Sequence, residues 1–275
     1  MRTMDDTTIQ QAAQRLHFTC TGDGADNILL IHGFASSLRI WEPLTAALPH
    51  AARWWALDLC GFGQSASLAN AAPTLDDHVR VIAAFCQQHS LRPRVVMGHS
   101  MGGMLALKLA LAHPDLTERL VLMCPVVTGK ISFRTDLILG TEIGAALLAA
   151  SRPVWSVLQS QLVEPFMRIP RFYLSPRARL RVAEDFRCAD WRAASKALNA
   201  ISQEDLTRRL PSVQHPALVI VGGRDFTVPP SEGRTGARLM PNAQLVEFPR
   251  AHHEPLDEET KECVAAIAAF LNVDF

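Results

Sequence analysis

The sequence predicts an α/β fold with a mostly parallel, doubly wound sheet and one helical insertion. Along residues 27–125 and 216–275, short apolar runs alternate with glycine-rich turns and helical patterns, and such alternation is typical of βαβ units. This alternation stops between residues 126 and 215, where the sequence shows helical periodicity interrupted by prolines. Hydrophobic residues make up 48% of the 275 residues and charged residues 20%, which suits a globular chain with a large core.

Six apolar runs are predicted as strands of one sheet. They contain few charges and are bounded by glycine, proline or polar residues, as buried parallel strands are. Two weaker strands are possible near residues 18–21, and the last helix is expected from about Thr260 to Leu271. The six predicted strands are 27–32, 53–58, 94–97, 119–123, 216–221 and 244–248.

The prediction for domain organisation is a core made of residues 1–125 and 216–275 and an insertion made of residues 126–215. The whole chain carries 27 Lys and Arg against 27 Asp and Glu, so it lacks the positive field that a nucleic-acid partner needs. The insertion is basic, with 13 Lys and Arg against 8 Asp and Glu. A solvated surface explains this excess, and steering of an anionic substrate or docking to a membrane surface are the alternatives.

Cellular location is predicted from cysteine spacing and from apolar segments. The six cysteines are widely scattered without a CxxC pair, so we expect reduced core thiols of a cytoplasmic protein. The N-terminal residues lack the apolar segment of a secretory signal. The longest apolar stretch, 137–150, contains Glu142 and is too short to span a bilayer, so we expect no stable membrane insertion. The sequence predicts no oligomeric state.

Residues 98–102, Gly-His-Ser-Met-Gly, form a G-x-S-x-G motif between a predicted strand and an Ala/Leu-rich helical segment that ends at Pro114. Glycine on both sides of the serine permits a sharp strand-to-helix turn that exposes the hydroxyl. The N-terminus of the following helix presents backbone N–H groups and a partial positive charge beside it. Ser100 is therefore the predicted nucleophile.

This motif and its neighbours resemble the α/β-hydrolase-fold serine hydrolases, specifically the capped esterases and C–C hydrolases. Residues 32–34, His-Gly-Phe, resemble the family's H-G-x turn, which implies that the N–H groups of Phe34 and Met101 form an oxyanion hole. Residues 58–65 resemble its D-x-x-G-x-G-x-S loop, with Cys60 at a usually polar position, and we assign that loop a structural role. The resemblance also implies that residues 126–215 form a helical cap.

A serine hydroxyl needs a histidine base, and that histidine needs a carboxylate partner. Residues 222–229 resemble the family's G-x-x-D-x-x-x-P segment, which implies that Asp225 is the acid. Residues 249–253, Pro-Arg-Ala-His-His, resemble the loop that ends in the catalytic histidine, and alignment from the proline selects His253, with His252 as the alternative. No histidine has metal-ligand spacing, so neither a metal nor another cofactor is expected.

The resemblance implies hydrolysis through an acyl-enzyme, with His253 transferring the proton and water releasing the acyl group. We expect carboxylic esters with apolar acyl groups as substrates, and thioesters or lactones as variants. Alternatives are C–C bond hydrolysis of vinylogous diketones, perhydrolysis, acyl transfer and a non-catalytic small-molecule receptor on the same fold. Aromatic residues of the insertion are candidates for a substrate pocket or for the cap's own core; they are Trp155, Phe166, Phe172, Tyr173, Phe186 and Trp191.

Overall fold

A computed structural model of the chain describes residues 4–72, 74–131 and 175–273. It contains a seven-stranded sheet in the order β1-β3-β2-β4-β5-β6-β7. The strands are β1 (Phe18–Thr21), β2 (Asn27–Ile31), β3 (Arg53–Leu57), β4 (Val95–His99), β5 (Arg119–Met123), β6 (Ala217–Gly222) and β7 (Ala243–Phe248). The helices of the described ranges are α1 (Asp6–Arg15), α2 (Glu42–Ala47), α3 (Leu75–Gln88), α4 (Met101–Ala112), α5 (Pro176–Cys188), α6 (Trp191–Gln203), α7 (Pro230–Leu239), α8 (Pro255–Glu258) and α9 (Thr260–Leu271).

The sheet confirms the predicted α/β architecture. Strands β2 to β7 pair in parallel, and β1 pairs antiparallel with β3 at one edge. All six predicted strands are present within about two residues of their expected bounds, and α9 has the predicted bounds. Near residues 18–21 the structure forms one strand rather than two.

Two apolar cores lie on opposite faces of the sheet, as the doubly wound prediction requires. In β6, Leu218 and Ile220 join the core beneath α2 and α9, whereas Val219 and Val221 join the core beneath α1, α3 and α4. Successive side chains of a strand point to opposite faces, so a strand buried on both sides is apolar throughout. This explains why the strands lack an alternating polar pattern.

The loop of residues 58–65 is fixed by hydrogen bonds to the segments around His17 and Leu38. Asp58 is buried and accepts hydrogen bonds from His17 Nδ1 at 2.8 Å, from Leu38 N at 2.8 Å and from Gln64 N at 2.9 Å. The hydroxyl of Ser65 accepts the His17 N–H at 2.9 Å. Buried carboxylates need such partners, and these contacts agree with the structural role predicted for the loop.

The order of the strands creates a crevice at the carboxyl edge of the sheet. From β2 the chain goes to β3 on one side and then returns to β4 on the other side. The loops that follow β2 and β4 therefore leave the sheet in opposite directions. Ligands of open α/β sheets bind at such a switch point, which here lies between Gly33 and Ser100.

The described part of the insertion is helical and packs over this edge. Helices α5 and α6 lie within it, and the N–H of Asp190 between them donates to the carbonyl of Gly61 at 2.9 Å. Residues 132–174 lie outside the described residues, together with four of the six candidate pocket aromatics. Phe186 and Trp191 form an edge-to-face pair with ring centroids 4.6 Å apart.

The cysteines depart in part from the sequence expectation. All six are free, but Cys20 and Cys188 are exposed rather than part of the core. Cys20 lies on the edge strand β1 and Cys188 at the end of α5, where few elements cover a side chain. Over the described ranges, every helix is too short or too polar to cross a bilayer.

Candidate active site

Ser100 occupies a strained turn between β4 and α4. Its φ of 54° and ψ of −117° lie outside the regions that ordinary residues favour. Two backbone hydrogen bonds keep Ser100 in this conformation. The Ser100 N–H donates to the Met123 carbonyl at 2.9 Å, and the Ser100 carbonyl accepts from Gly103 N at 3.0 Å. Strain of this kind persists only where surrounding structure fixes it, and it clusters at functional sites.

Two glycines allow the backbone to approach this turn. A Cβ on Gly102 would lie 2.2 Å from the carbonyl oxygen of Ile31, so the first turn of α4 can pack on β2 only without a side chain. A Cβ on Gly33 would lie 3.0 Å from the Cβ of Ser100. The loop after β2 therefore passes directly beside the serine.

That loop also carries Phe34, one of the predicted oxyanion donors. Its conformation is fixed by His32, whose Nδ1–H donates to the Gly33 carbonyl at 2.7 Å and whose Nε2 accepts the Leu59 N–H at 2.9 Å. Burial lowers the pKa of His32 and keeps this donor–acceptor arrangement neutral. Met101, the second predicted donor, is the first residue of α4 and is buried. Phe34 thus follows β2 and Met101 follows β4, two adjacent strands of the sheet.

His253 and Asp225 form a close pair at the same edge of the sheet. The His253 Nδ1–H donates to Asp225 Oδ2 at 2.6 Å, and the two side chains are only 12% and 2% exposed. Asp225 follows β6, and its other oxygen accepts from the N–H groups of Thr227 at 2.8 Å and Val228 at 2.9 Å. The carboxylate is therefore fixed on both oxygens.

The two pKa values of this pair are shifted apart. Burial favours the neutral form of His253, but the charge and hydrogen bond of Asp225 outweigh it and raise the pKa of the imidazole above its usual value. Burial likewise opposes the charge of Asp225, yet His253 and the loop N–H groups hold the pKa of the carboxyl below its usual value. Asp225 thus stays ionised while the imidazole titrates.

His252 faces a different partner. Its Nδ1–H donates to Glu258 Oε2 at 2.9 Å, and its ring lies edge-to-face with Phe226 at a centroid distance of 5.8 Å. Adjacent histidines in an extended loop point in different directions, and here the one that meets Asp225 is His253.

Ser100 and His253 are linked through the residue before the serine. The ring of His99 lies 4.8 Å from that of His253, and His99 Nε2–H donates to the carbonyl of His253 at 2.8 Å. Burial, followed by the nearby charge of His253, lowers the pKa of His99 to about 3, so this ring stays neutral. The loop that carries His253 is therefore seated against the serine turn.

Cys124 adds a third potential ligand atom, because its Sγ and ligand atoms of Asp225 and His253 all lie within 4.8 Å of one another. Burial, reinforced by the charge of Asp225, raises the pKa of this thiol well above its usual value. Metal coordination would require a thiolate and would compete with the His253–Asp225 hydrogen bond. A neutral thiol that packs beside the pair fits the geometry better.

Two acids near the last helix have roles that the sequence did not indicate. The Asp257 carboxylate accepts from Arg181 of α5 at 2.7 and 3.2 Å, and Glu258 binds the segment around His253. Both acids lie in or beside the short helix α8, which places them ahead of α9.

Comparison with known proteins identifies the family. The family model described as "alpha/beta hydrolase fold" matches residues 26–260. The chain belongs to the α/β-hydrolase fold family. The resemblance stated from the motifs, and the prediction of an enzyme of this family, are therefore confirmed.

Individual relatives are distant in sequence but match most of their own length and of this chain. "Putative carbamate hydrolase RutD" of Yersinia enterocolitica is 25% identical, over 94% of this chain and 93% of the relative. A pimeloyl-[acyl-carrier protein] methyl ester esterase of Neisseria meningitidis is 28% identical, over 85% of this chain and 72% of the relative. The crystal structure of an enol-lactonase from Burkholderia xenovorans superposes with a TM-score of 0.74 at 25% identity, over 94% of this chain and 96% of that one.

Proposed function

We propose that the protein is a serine hydrolase that cleaves carboxylic esters with apolar acyl groups through an acyl-enzyme. The observation that carries this proposal is the buried 2.6 Å hydrogen bond between His253 and Asp225, on a loop that binds His99, the residue before a serine in a strained turn. A fixed carboxylate and a proton-accepting imidazole are what a serine hydroxyl needs to become a nucleophile at neutral pH. The names of the esterase and lactonase relatives support acyl transfer to water as the overall reaction.

Each group has one role in this mechanism. His253 removes the proton of Ser100 Oγ as the oxygen attacks the acyl carbon, and Asp225 stabilises the imidazolium that forms. The N–H groups of Phe34 and Met101 bind the oxyanion, and loss of one such donor costs about 10² to 10³ in turnover in well-studied hydrolases. His253 then protonates the leaving alcohol. In the second half of the reaction His253 removes a proton from water, the water attacks the acyl carbon, and the carboxylic acid leaves Ser100.

Residues 126–215 are the proposed cap over this site, with residues 1–125 and 216–275 as the core. Contacts of the described helices support the assignment, because Arg181 of α5 binds Asp257 of α8, and the turn between α5 and α6 binds Gly61. Both contacts lie at the carboxyl edge of the sheet. The free cysteines support location in the cytoplasm, and a small acyl compound is the proposed partner.

Hydrolysis of a substrate panel tests the proposal. We expect turnover of p-nitrophenyl acetate and butyrate by the wild type and its loss in Ser100→Ala. A lactone and a carbamate are tested as further substrates.

Other outcomes would identify the alternative functions. Turnover of a ring-cleavage dienoate without ester turnover would identify a C–C hydrolase. Acyl transfer to peroxide or to an alcohol in preference to water would identify a perhydrolase or an acyltransferase. A folded wild type that turns over none of these, and whose Ser100 is not labelled by a fluorophosphonate, would identify a receptor.

A further inference from the structure

One carboxylate holds both neighbours of His253. Glu258 Oε2 accepts the backbone N–H of His252 at 2.8 Å, and Oε1 accepts the backbone N–H of Glu254 at 2.9 Å. The His252 ring adds a third bond to Oε2 at 2.9 Å. The Glu258 side chain is only 4% exposed, so water contributes little to its solvation. Hydrogen bonds to an ionised acceptor are about twice as strong as neutral ones. The two backbone hydrogen bonds of Glu258 hold the residues directly before and after His253.

The other side of the loop is held as well. His99 of β4 donates to the carbonyl of His253 at 2.8 Å. Against β6 the approach is so close that a Cβ on Gly222 would lie 1.8 Å from the carbonyl oxygen of His252. Between the sheet and Glu258, the backbone on both sides of His253 has little freedom to move.

We propose that Glu258 is a positioning residue for His253: it fixes the segment that carries the imidazole so that the ring meets Asp225 and Ser100 together. The inference rests on the proposed function, since positioning matters only if His253 is the base. The hydrogen bonds of Glu258 go to the backbone N–H groups of His252 and Glu254 and to the His252 ring, so it acts on His253 indirectly. Displacement of a catalytic group by about 1 Å can cost on the order of 10² in rate, so a lost clamp should reduce turnover more than substrate binding.

Glu258 also acts on His253 through its charge. Burial favours the neutral ring, and the charges of Asp225, Glu254 and Glu258 together raise its pKa above the usual value. Neutralising Glu258 should therefore lower the pKa of His253 and move the acid limb of the pH–rate profile to lower pH. Groups that face this site from the packed elements are Asp225 after β6, His99 at the end of β4, Cys124 after β5, Arg181 of α5, and Glu254 and Glu258 of the loop and α8.

Three variants separate geometry from charge. Glu258→Gln removes the charge and one of the two backbone acceptors, Glu258→Asp keeps the charge on a shorter arm, and Glu259→Gln is the control. Glu259 loses the same charge one residue away, where its closest ion-pair contact is Arg250 at 3.9 Å. The measurements are kcat and KM against pH for p-nitrophenyl butyrate, and an NMR titration of the ¹⁵N-labelled His253 ring, assigned with His253→Ala.

We expect kcat to fall about 10- to 100-fold in Glu258→Gln with KM changed less than about twofold, and the pKa of His253 to decrease. Glu258→Asp should lose kcat without that decrease in pKa, and Glu259→Gln should retain wild-type values. The inference would be overturned if Glu258→Gln kept the kcat and the His253 pKa of the wild type. It would also be overturned if kcat decreased only in proportion to the fraction of protein that is unfolded. If Glu258→Gln does not fold, the kcat of Glu258→Asp decides.

The same measurements separate this inference from the proposed function. Absence of turnover in the wild type would refute the hydrolase, whereas the NMR titration needs no substrate. A His253 pKa and Nδ1–H signal that change in Glu258→Gln but not in Glu259→Gln would keep Glu258 as the residue that positions the ring. Unchanged signals would reject Glu258 whatever the enzyme does.

Discussion

Helices α4 and α5 both contribute to the region around Ser100, but different forces bury them. Ten residues of α4 are buried, and Lys108 is the one charged residue among them. Three residues of α5 are buried, and two of these, Arg181 and Asp185, are charged. Apolar packing does not depend on pH or salt in the way that ion pairs do. The helix that begins directly after Ser100 is thus built into the core, whereas α5 of the insertion is attached through charges.

The two buried charged residues of α5 each have their own group of partners. Arg181 is 8% exposed and binds Asp257 at 2.7 Å, with Glu254 at 3.5 Å. One turn further, Asp185 accepts from the Ser37 hydroxyl at 2.8 Å, and burial raises the pKa of this carboxyl. Partners of both groups lie at the carboxyl edge of the sheet, with Ser37 in the segment after β2 and Asp257 in α8. The comparison predicts that changes at the serine turn alter chemistry without loss of stability, and that changes at the α5 contacts do the reverse.

The largest effect is expected from Ser100→Ala. If Ser100 is the nucleophile as proposed, its removal should reduce ester turnover by at least about 10³-fold. The free energy of unfolding should change little, because the apolar burial of α4 is unaffected. Steady-state assays with p-nitrophenyl butyrate and urea unfolding measure the two quantities, and Ser202→Ala on α6 is a matched control. Turnover retained in Ser100→Ala would remove the serine from the mechanism.

The adjacent histidines provide the next test. His253→Ala should lose about 10³-fold or more in turnover because it removes the proposed base. His252→Ala should retain much of the activity, since that ring binds Glu258 rather than Asp225. Both variants are assayed for kcat at a pH above the raised pKa of His253. If His252→Ala were the inactive variant, the assignment of the base would be off by one residue.

Arg181→Met tests the charged region. The substitution keeps most of the aliphatic stem but leaves the carboxylates of Asp257 and Glu254 without their cation. Removal of one partner of a buried ion pair typically costs about 3 to 5 kcal/mol, and we expect about 3 kcal/mol from urea unfolding. Arg187→Met, at an exposed position of the same helix, should cost less than about 0.5 kcal/mol. Equal costs for the two variants would contradict a charge-based attachment of α5.

The smallest predicted effect is a change in pH dependence. Burial raises the pKa of Glu254 to about 7 in spite of Arg181. A folded-state pKa above the unfolded value contributes stability at low pH that is lost as pH rises, here between about 4.5 and 7. Glu254→Gln should therefore gain stability over the wild type from pH 5 to pH 7, with Glu262→Gln as the exposed control. Urea unfolding at pH 5 and pH 7 measures the free energy of unfolding of each protein. A difference between Glu254→Gln and wild type that is the same at both pH values would refute the raised pKa of Glu254.

The sheet and the turn at Ser100 were predictable because their signals are local. Buried parallel strands are short apolar runs whatever their partners, and G-x-S-x-G requires its own turn geometry. The pairing of β1 with β3, and the contacts of Arg181 and Glu258, were not predictable from the sequence. An acid that binds a backbone N–H four or six residues earlier looks, in sequence, like any acid near a helix start. Only the folded loop shows what its carboxylate reaches.

The site of labelling by a fluorophosphonate tests the central claim most directly. Tandem mass spectrometry of the labelled wild type should find the phosphonyl group on Ser100. The labelling rate should fall at least about 100-fold in His253→Ala and stay near the wild-type rate in His252→Ala. A label on another residue, or equal rates in wild type and His253→Ala with both proteins folded, would contradict activation of Ser100 by His253.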